Sequence, residues 1–181
     1  AVRGAVRALN ENFDDVDDVI AERYTEETMK PYTFEGNVYA LPDTLSFCML
    51  YYRADILHDL GLEVPKTWDD VRALLPVLQA NGMSFGMPAN ANTTITGQVT
   101  AKTTYLMFLA QMGGQLYADN NMEVALDSDI AIEAFEEFTD FYTQYQFDYV
   151  FDFTNRFRSG EMPLAIYGYE TYTSLSLFAT E

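Results

Sequence analysis

The 181-residue chain is strongly acidic, since 28 aspartate and glutamate residues against 10 lysine and arginine residues give a formal net charge of −18 at pH 7. This charge argues against nucleic acid and anionic membrane surfaces as partners, because both are bound through Lys and Arg. The single cysteine, Cys48, excludes an intrachain disulfide, and no partner pattern for a metal site or a Ser-His-Asp triad surrounds the single histidine, His58. We therefore expect no metal, no cofactor and no catalytic triad.

The first third of the chain predicts helix and then strand. Residues 1–35 carry most of the early acidic charge and favour a helical lead-in segment. "GNVYALP", residues 36–42, is typical of a short strand that ends at proline. "SFCMLYYRA", residues 46–54, is a continuous apolar and aromatic run and indicates a strand buried on both faces, with Cys48 as an inert core thiol. "RADILHDLG", residues 53–61, predicts a short helix that ends at glycine.

The clearest helix pattern lies in "VPKTWDDVRALLPVLQANG", residues 64–82. Thr67 is placed to cap this helix, and Asp70 suits the positive end of its dipole. Pro76 lies inside the pattern and is expected to kink or shorten the helix. Trp68 could serve as a stacking platform for a ligand, but in the first turn of a capped helix we interpret it as a packing residue. The predicted apolar stripe consists of Val71, Leu74, Leu75 and Leu78.

The middle of the chain continues the alternation of strands and helices. Residues 83–90 predict a brief strand, and the polar, Thr-rich stretch 93–104 predicts a loop. Residues 105–114 predict a buried helix that ends at two glycines, and residues 115–126 a turn and a strand. Residues 127–145 predict a long amphipathic helix. Its expected inward face consists of Ala131, Phe135, Phe138, Tyr142 and Tyr145.

The last part of the chain predicts a helix, a strand and another helix in residues 154–160, 163–168 and 169–178. The complete alternation predicts an α/β fold with a small mixed sheet flanked by helices. The preceding aromatic run, residues 147–157, is interpreted as core packing.

Two of the few basic residues, Arg156 and Arg158, stand two positions apart in this last part. An anion or partner site is one interpretation of the pair. We prefer ion pairing with nearby acids, and Glu161 and Asp152 are within reach of a short helix and its ends.

Five motifs follow one another in a specific order: "GNVYALP", "YYRADIL", "PKTWDD", a "GG" that ends a helix, and "FRSGEMPLAIYG". Their order and spacing over residues 36–172 resemble the extracellular solute-binding proteins of ABC importers, the maltose-binding-protein-like family. The resemblance implies one lobe of a type II periplasmic-binding-protein fold. Residues 36–181 would form a partial C-terminal-lobe-like domain, and the N-terminal lobe would be absent from this fragment.

The resemblance also implies a function. It predicts the non-catalytic substrate-binding component of an ABC transporter, which captures a carbohydrate, expected to be an oligosaccharide, between two lobes and delivers it to permease subunits. It implies that the parent protein is extracellular, either a membrane-anchored lipoprotein or periplasmic, and we expect the fragment to be monomeric. Two alternatives stay open: a glycoside hydrolase with paired carboxylates such as Asp43 and Glu170, and a purely structural interaction domain.

Ligands of open α/β sheets bind outside the strand ends, so polar and aromatic residues at those ends are candidate ligand contacts. Tyr next to Glu at a strand end suits a sugar, because rings stack on C–H patches and carboxylates bind hydroxyls. By position in the family, Ser46 replaces a carboxylate and Glu170 replaces a stacking Trp, so maltodextrin is not implied as the ligand. The candidate ligand-binding residues are Asp43, Thr44, Ser46, Thr103, Tyr169, Glu170 and Tyr172.

These candidates have plainer interpretations as well. Asp43 suits a turn, Tyr169 and Tyr172 suit a core, and the Thr-rich stretch that contains Thr103 suits a solvent-exposed loop. Both interpretations stay open for Asp43, Tyr169 and Tyr172, and for the Thr-rich stretch we prefer the solvent-exposed loop.

Overall fold

The computed structural model describes residues 5–44, 47–89, 100–118 and 123–178. The chain divides into two compact units, Ala1–Leu45 and Ser46–Glu181. The predicted lead-in segment, residues 1–35, falls within the first unit. No helix of the described residues is both long enough and apolar enough to cross a membrane.

The first unit contains two short helices and a small hairpin. The chain turns between the hairpin strands at Glu35 and Gly36, both with positive φ (50° and 80°), as a type I′ hairpin turn requires. The predicted strand at residues 36–42 is therefore shorter than expected. The elements are α1 (Val16–Arg23), α2 (Glu26–Met29), a 3-10 turn (Lys30–Tyr32), β1 (Thr33–Phe34) and β2 (Asn37–Val38).

The second unit is built on a three-stranded sheet with strand order β3-β5-β4, in which β3 is antiparallel and β4 is parallel to β5. A small mixed sheet with helices packed on it is the predicted architecture. The elements are β3 (Cys48–Tyr52), α3 (Ala54–Asp59), α4 (Trp68–Ala80), β4 (Phe85–Gly86), α5 (Ala101–Gln111), α6 (Asp129–Thr143), α7 (Phe153–Ser159), β5 (Leu164–Gly168) and α8 (Thr171–Phe178).

The central strand, β5, is buried along its whole length and separates two hydrophobic clusters. Leu164 and Ile166 face the larger cluster, which α4, α5 and α6 cover. Ala165 and Tyr167 face the smaller cluster, which contains Phe153 at the start of α7. Side chains of a strand alternate between the faces of a sheet, so five consecutive apolar residues in β5 serve two cores.

Residues 46–54 contain a strand, as predicted, but the prediction that this strand is buried on both faces is wrong. β3 lies at an edge of the sheet, where Cys48 is only half-buried and Tyr52 is 45% exposed. Burial still raises the pKa of the Cys48 thiol, with the negative charge of Glu170 as a second cause. A raised pKa reduces the thiolate fraction, so low reactivity of Cys48 stays a prediction with a physical basis.

Helix α4 begins as predicted. Thr67 accepts a hydrogen bond from the Asp70 N–H (3.1 Å), and the Asp70 carboxylate accepts one from the Thr67 N–H (2.9 Å), which completes a capping box. Of the two expected effects of Pro76, a shortened helix is wrong, because α4 continues to Ala80, whereas a kink stays a prediction. Trp68 is a packing residue, as expected: its ring stacks on Phe108 at 4.3 Å between centroids.

Helix α6 is amphipathic, but its inward face differs in part from the predicted one. Ala131, Phe138 and Tyr142 are buried as expected. Phe135 is 54% exposed, so its predicted inward position is wrong, and the fully buried Phe141 takes a place that the prediction missed. The stripe follows the 3.6-residue period of the helix, and Phe135 lies beside it.

Arg156 pairs with acids, as expected, through Asp148 (2.5 Å) and Glu161 (3.6 Å). The predicted pairing with Asp152 is wrong, because the Asp152 carboxylate instead caps α7 by accepting a hydrogen bond from the Asn155 N–H (3.1 Å). Aspartate is among the residues that N-cap positions favour, because its side chain accepts a hydrogen bond from a backbone N–H of the first turn.

Candidate functional site

The carboxyl end of β5 and the amino end of β3 lie side by side, because the two strands are antiparallel and Cys48 is the partner of Gly168. The Tyr169 N–H donates a hydrogen bond to the Phe47 carbonyl (2.9 Å) and so continues the ladder one residue beyond the strands. This bond fixes Phe47 and Tyr169 next to each other where the two strands end.

Three aromatic rings stack at this edge and form what we call the aromatic row: Phe47, Tyr169 and Tyr172. The ring centroids of Phe47 and Tyr169 are 4.8 Å apart with planes at 19°, and those of Tyr169 and Tyr172 are 6.3 Å apart with planes at 9°. The three residues are 46%, 43% and 54% exposed. Core positions for Tyr169 and Tyr172, the plainer interpretation, are therefore wrong.

The backbone beneath the aromatic row is held by a buried hydroxyl group. The Tyr51 hydroxyl donates to the carbonyl oxygens of Gly168 (3.0 Å) and Tyr169 (3.3 Å). Burial raises the pKa of Tyr51 to about 12, and the negative charge of Glu170 adds to the effect. The strand end that carries the row is thus anchored from below by a neutral phenol.

Glu170 lies between Tyr169 and Tyr172 in the sequence and is exposed. Its charge acts on the groups beneath it, since it contributes to the raised pKa of both Cys48 and Tyr51. The arrangement combines flat apolar ring faces with a carboxylate acceptor, the two kinds of group that stack on a sugar ring and bind its hydroxyls.

The other predicted site residues are placed elsewhere. Asp43 and Thr44 belong to the first unit and are exposed, whereas Ser46 lies outside the described residues. Thr103 lies in the first turn of α5, where its N–H donates to the hydroxyl of the N-cap residue Thr100 (3.3 Å). The described contacts therefore bring together Tyr169 and Tyr172 with Glu170 between them in sequence.

Sequence reasoning missed two residues of this site, Phe47 and Tyr51. Both belong to the apolar run at residues 46–54, which was interpreted only as a buried strand. The alternation of "FCMLY" contains a signal, because Phe47 and Tyr51 are four positions apart on a strand, but their roles depend on which strand pairs with β3.

Among the described residues, no group of three or more His, Cys, Asp or Glu side chains is placed to hold a metal ion.

The profile of the family described as "Bacterial extracellular solute-binding protein" matches residues 4–168. The chain belongs to this family. The match covers most of both units and contains all five motifs from which the resemblance was inferred. No curated protein sequence matches the chain.

Solved structures of solute-binding proteins share the fold. MalE from the phytopathogen Xanthomonas citri, a sugar-binding protein, is 17% identical over 97% of this chain and 44% of that chain, with a TM-score of 0.74. A protein from Thermotoga lettingae TMO with bound alpha-D-tagatose is 24% identical over 92% of this chain and 44% of that chain, with a TM-score of 0.70. UgpB from Mycobacterium tuberculosis, in complex with glycerophosphocholine, is 22% identical over 92% and 43%, with a TM-score of 0.69.

These likenesses confirm the predicted fold class, an α/β lobe of the type II periplasmic-binding-protein fold with a small mixed sheet flanked by helices. The chain spans less than half the length of these solute-binding proteins.

Proposed function

We propose that this chain forms part of the substrate-binding component of an ABC importer and that it contacts a carbohydrate, expected to be an oligosaccharide, through the aromatic row and Glu170. One observation carries the proposal: three stacked rings stay about half exposed at the carboxyl end of a fully buried strand. Ligands of open α/β sheets bind at such strand ends.

The chemistry of the row favours a neutral hydroxylated ligand. Ring faces stack on the C–H patches of sugars, and Glu170 can accept hydrogen bonds from their hydroxyls. MalE, a sugar-binding protein, and the T. lettingae protein, which holds alpha-D-tagatose, support this class. UgpB binds a choline phosphodiester, and rings also attract quaternary ammonium groups, so glycerophosphocholine belongs in the test.

We propose no catalytic role for the chain. The chain belongs to a family of solute-binding proteins, and this membership speaks against Asp43 and Glu170 as the paired carboxylates of a glycoside hydrolase. An assay with chromogenic glycosides tests this point, and turnover that Glu170→Gln abolishes would contradict it.

The remaining proposals follow from the family. We propose that the parent protein acts outside the cell, periplasmic or anchored as a lipoprotein, and that it delivers its ligand to ABC permease subunits. Asp43, Thr44, Ser46 and Thr103 stay proposed ligand contacts by position in the family. We expect the chain itself to be monomeric.

The decisive experiment is calorimetric or NMR titration of the chain with neutral oligosaccharides, alpha-D-tagatose and glycerophosphocholine. A chain that supplies only part of the contacts is expected to bind with a Kd of roughly 1 mM, against ~1 μM for a complete site. Tyr169→Ala and Glu170→Gln are expected to weaken binding. Phe135→Ala, which removes a comparably exposed ring from α6, serves as the matched control.

Two results would contradict the proposal. The first is binding of a sugar that neither Tyr169→Ala nor Glu170→Gln weakens, since the site would then lie elsewhere. The second is glycerophosphocholine as the ligand that binds most tightly, since the row would then recognise a cation rather than a sugar.

A further inference from the structure

A pocket of about 440 Å³ lies in the second unit, at the opposite end of the sheet from the aromatic row. Ser84, in its wall, comes directly before β4, and β4 runs parallel to β5. The aromatic row follows the carboxyl end of β5. Because β4 is parallel to β5, a residue just before the amino end of β4 lies at the opposite end of the strands. The pocket is therefore separate from the site described above, and its volume falls in the range of small-molecule sites, ~300–1,000 Å³.

The floor of the pocket is apolar and fully formed. The rings of Phe85 and Phe147 stack in it at 5.5 Å between centroids, with planes at 22°. The floor residues are Leu75, Leu78, Phe85 and Phe147, each at most 7% exposed. Such a floor belongs to the core of the unit and does not need a ligand to take shape.

The rim of the pocket carries three carboxamides, from Gln79 at the end of α4 and from Gln144 and Gln146 after α6. The Gln79 amide nitrogen donates to the Tyr145 carbonyl (3.3 Å), which fixes this side chain against the rim. A carboxamide presents donors and an acceptor on one group, and hydroxyl groups likewise both donate and accept. The rim therefore matches a ligand rich in hydroxyls.

The electrostatics of the pocket favour a neutral ligand. The Ser84 hydroxyl oxygen accepts a hydrogen bond from the Arg156 guanidinium (3.1 Å), which leaves its own proton to donate to another acceptor. The charge of Arg156 is balanced by Asp148 (2.5 Å) and Glu161 (3.6 Å). Arg156, which contacts the pocket wall through Ser84, is therefore already paired and offers little attraction to an anion.

Gln146 adopts a backbone conformation that glycine usually takes. Its φ is +58°, three residues after the end of α6, and the following Phe147 N–H donates a hydrogen bond to the Phe141 carbonyl in the last turn of that helix (3.1 Å). Helices commonly end with glycine in this left-handed conformation, because a side chain strains it. Strained non-glycine residues cluster at functional sites, and here the strained residue places a carboxamide on the rim.

We propose that this pocket is a second small-molecule site, which binds a neutral polyhydroxylated molecule of mono- or disaccharide size through Gln79, Gln146 and Ser84. The site is independent of the aromatic row, and its existence does not rest on the proposed function.

NMR of the ¹⁵N-labelled chain during titration with maltose tests the proposal, because side-chain amide signals report on the pocket and backbone signals of Tyr169 and Tyr172 report on the row. We expect the carboxamide signals of Gln79 and Gln146 to shift along one saturable curve. Glucuronate, an anionic sugar, is expected to shift them less. Absence of a saturable shift at these carboxamides would overturn the proposal.

Two variants sharpen the test. Gln146→Gly removes the carboxamide and relieves the strained φ, so we expect an equal or higher Tm together with about fivefold weaker binding in the pocket, the size of one lost hydrogen bond. Gln79→Ala is expected to weaken binding similarly. Tyr169→Ala, the matched control at the other edge, should leave the pocket titration unchanged.

Binding that both glutamine variants leave intact would overturn the proposal. Loss of the carboxamide shifts in Tyr169→Ala would overturn it as well, since maltose would then act only through the aromatic row. A titration that moves the carboxamides but not the row would support the pocket and count against the proposed function.

Discussion

Two groups of stacked rings in the second unit have similar geometry and opposite surroundings. In the core ring cluster, formed by Trp68, Phe108 and Phe141, the closest centroids are 4.3 Å apart with planes at 25°, and both phenylalanines are at most 1% exposed. In the aromatic row, Phe47 and Tyr169 are 4.8 Å apart with planes at 19°, yet each is more than 40% exposed.

The comparison teaches that stacking geometry does not reveal what a ring contributes to a protein. Burial of an aromatic side chain removes a large apolar area from water, which stabilises the fold, whereas a half-exposed ring leaves much of that free energy unused. The core ring cluster is therefore assigned to stability. The aromatic row keeps apolar surface available, and a ligand can cover it.

The largest expected effect is the loss of a core ring. Phe108→Ala should lower the free energy of unfolding by about 3–5 kcal/mol, because it removes buried area and leaves a cavity. Urea denaturation measures the change. Phe135→Ala, the matched control on α6 with a 54% exposed ring, should change it by less than about 1 kcal/mol. Equal effects of the two substitutions would refute the contrast between buried and exposed rings.

The next largest effect concerns the Tyr51 hydroxyl, which holds the backbone beneath the aromatic row. Tyr51→Phe keeps a ring in the smaller hydrophobic cluster but removes the hydroxyl that bonds Gly168 and Tyr169. We expect a loss of about 1 kcal/mol, the net worth of a typical hydrogen bond. Tyr52→Phe, on the same strand with a 45% exposed ring, should be close to neutral in the same denaturation experiment. Unchanged stability in Tyr51→Phe would show that the anchor is not needed.

Alkaline pH should weaken the same anchor. The pKa of Tyr51 is raised from 10.0 to about 12 in the folded chain, chiefly by burial. The stabilising contribution of the neutral phenol is therefore fully present below pH 10 and lost as the pH rises towards 12. Urea midpoints of the wild type and of Tyr51→Phe, compared across this range, measure it. We expect the wild type to lose more stability than the variant, and parallel curves would contradict the shift.

The smallest expected effect on stability belongs to the aromatic row. Tyr169→Ala should change the free energy of unfolding by no more than about 1 kcal/mol, since the ring is 43% exposed and its backbone bonds remain. The same substitution should markedly weaken ligand binding. A thermal melt beside a titration separates the two, and a large loss of stability would assign the row to the core instead.

Local signals predicted most of the fold. The Thr67 cap and the apolar period of α4 are properties of neighbouring residues, and both predicted this helix correctly. The prediction of burial failed for β3, because the burial of a strand depends on which distant segments pair with it. β3 has the apolar composition of a central strand, but it lies at an edge because β5 takes the central position.

In the candidate site, too, local sequence signals predicted some residues, and strand pairing determines the place of others. Tyr169, Glu170 and Tyr172 follow a predicted strand, so their position at a strand end could be inferred from the sequence alone. Phe47 could not be assigned to them, because its place in the row depends on the antiparallel register of Cys48 with Gly168. Asp43 and Thr44 belong to the other unit, so their part in a site stays a prediction.

The pairing of β3 with β5 also has a consequence for biosynthesis. The Tyr51 hydroxyl and its Gly168 partner are 117 residues apart in the chain. A ribosome that adds ~5–20 residues per second needs roughly 6–25 s to supply the second partner after the first. During that interval the apolar segment "CMLYY" has no strand to pair with, and unpaired apolar strands are prone to aggregate. Expression of truncated chains that end before Leu164 should therefore yield insoluble protein unless a chaperone covers this segment.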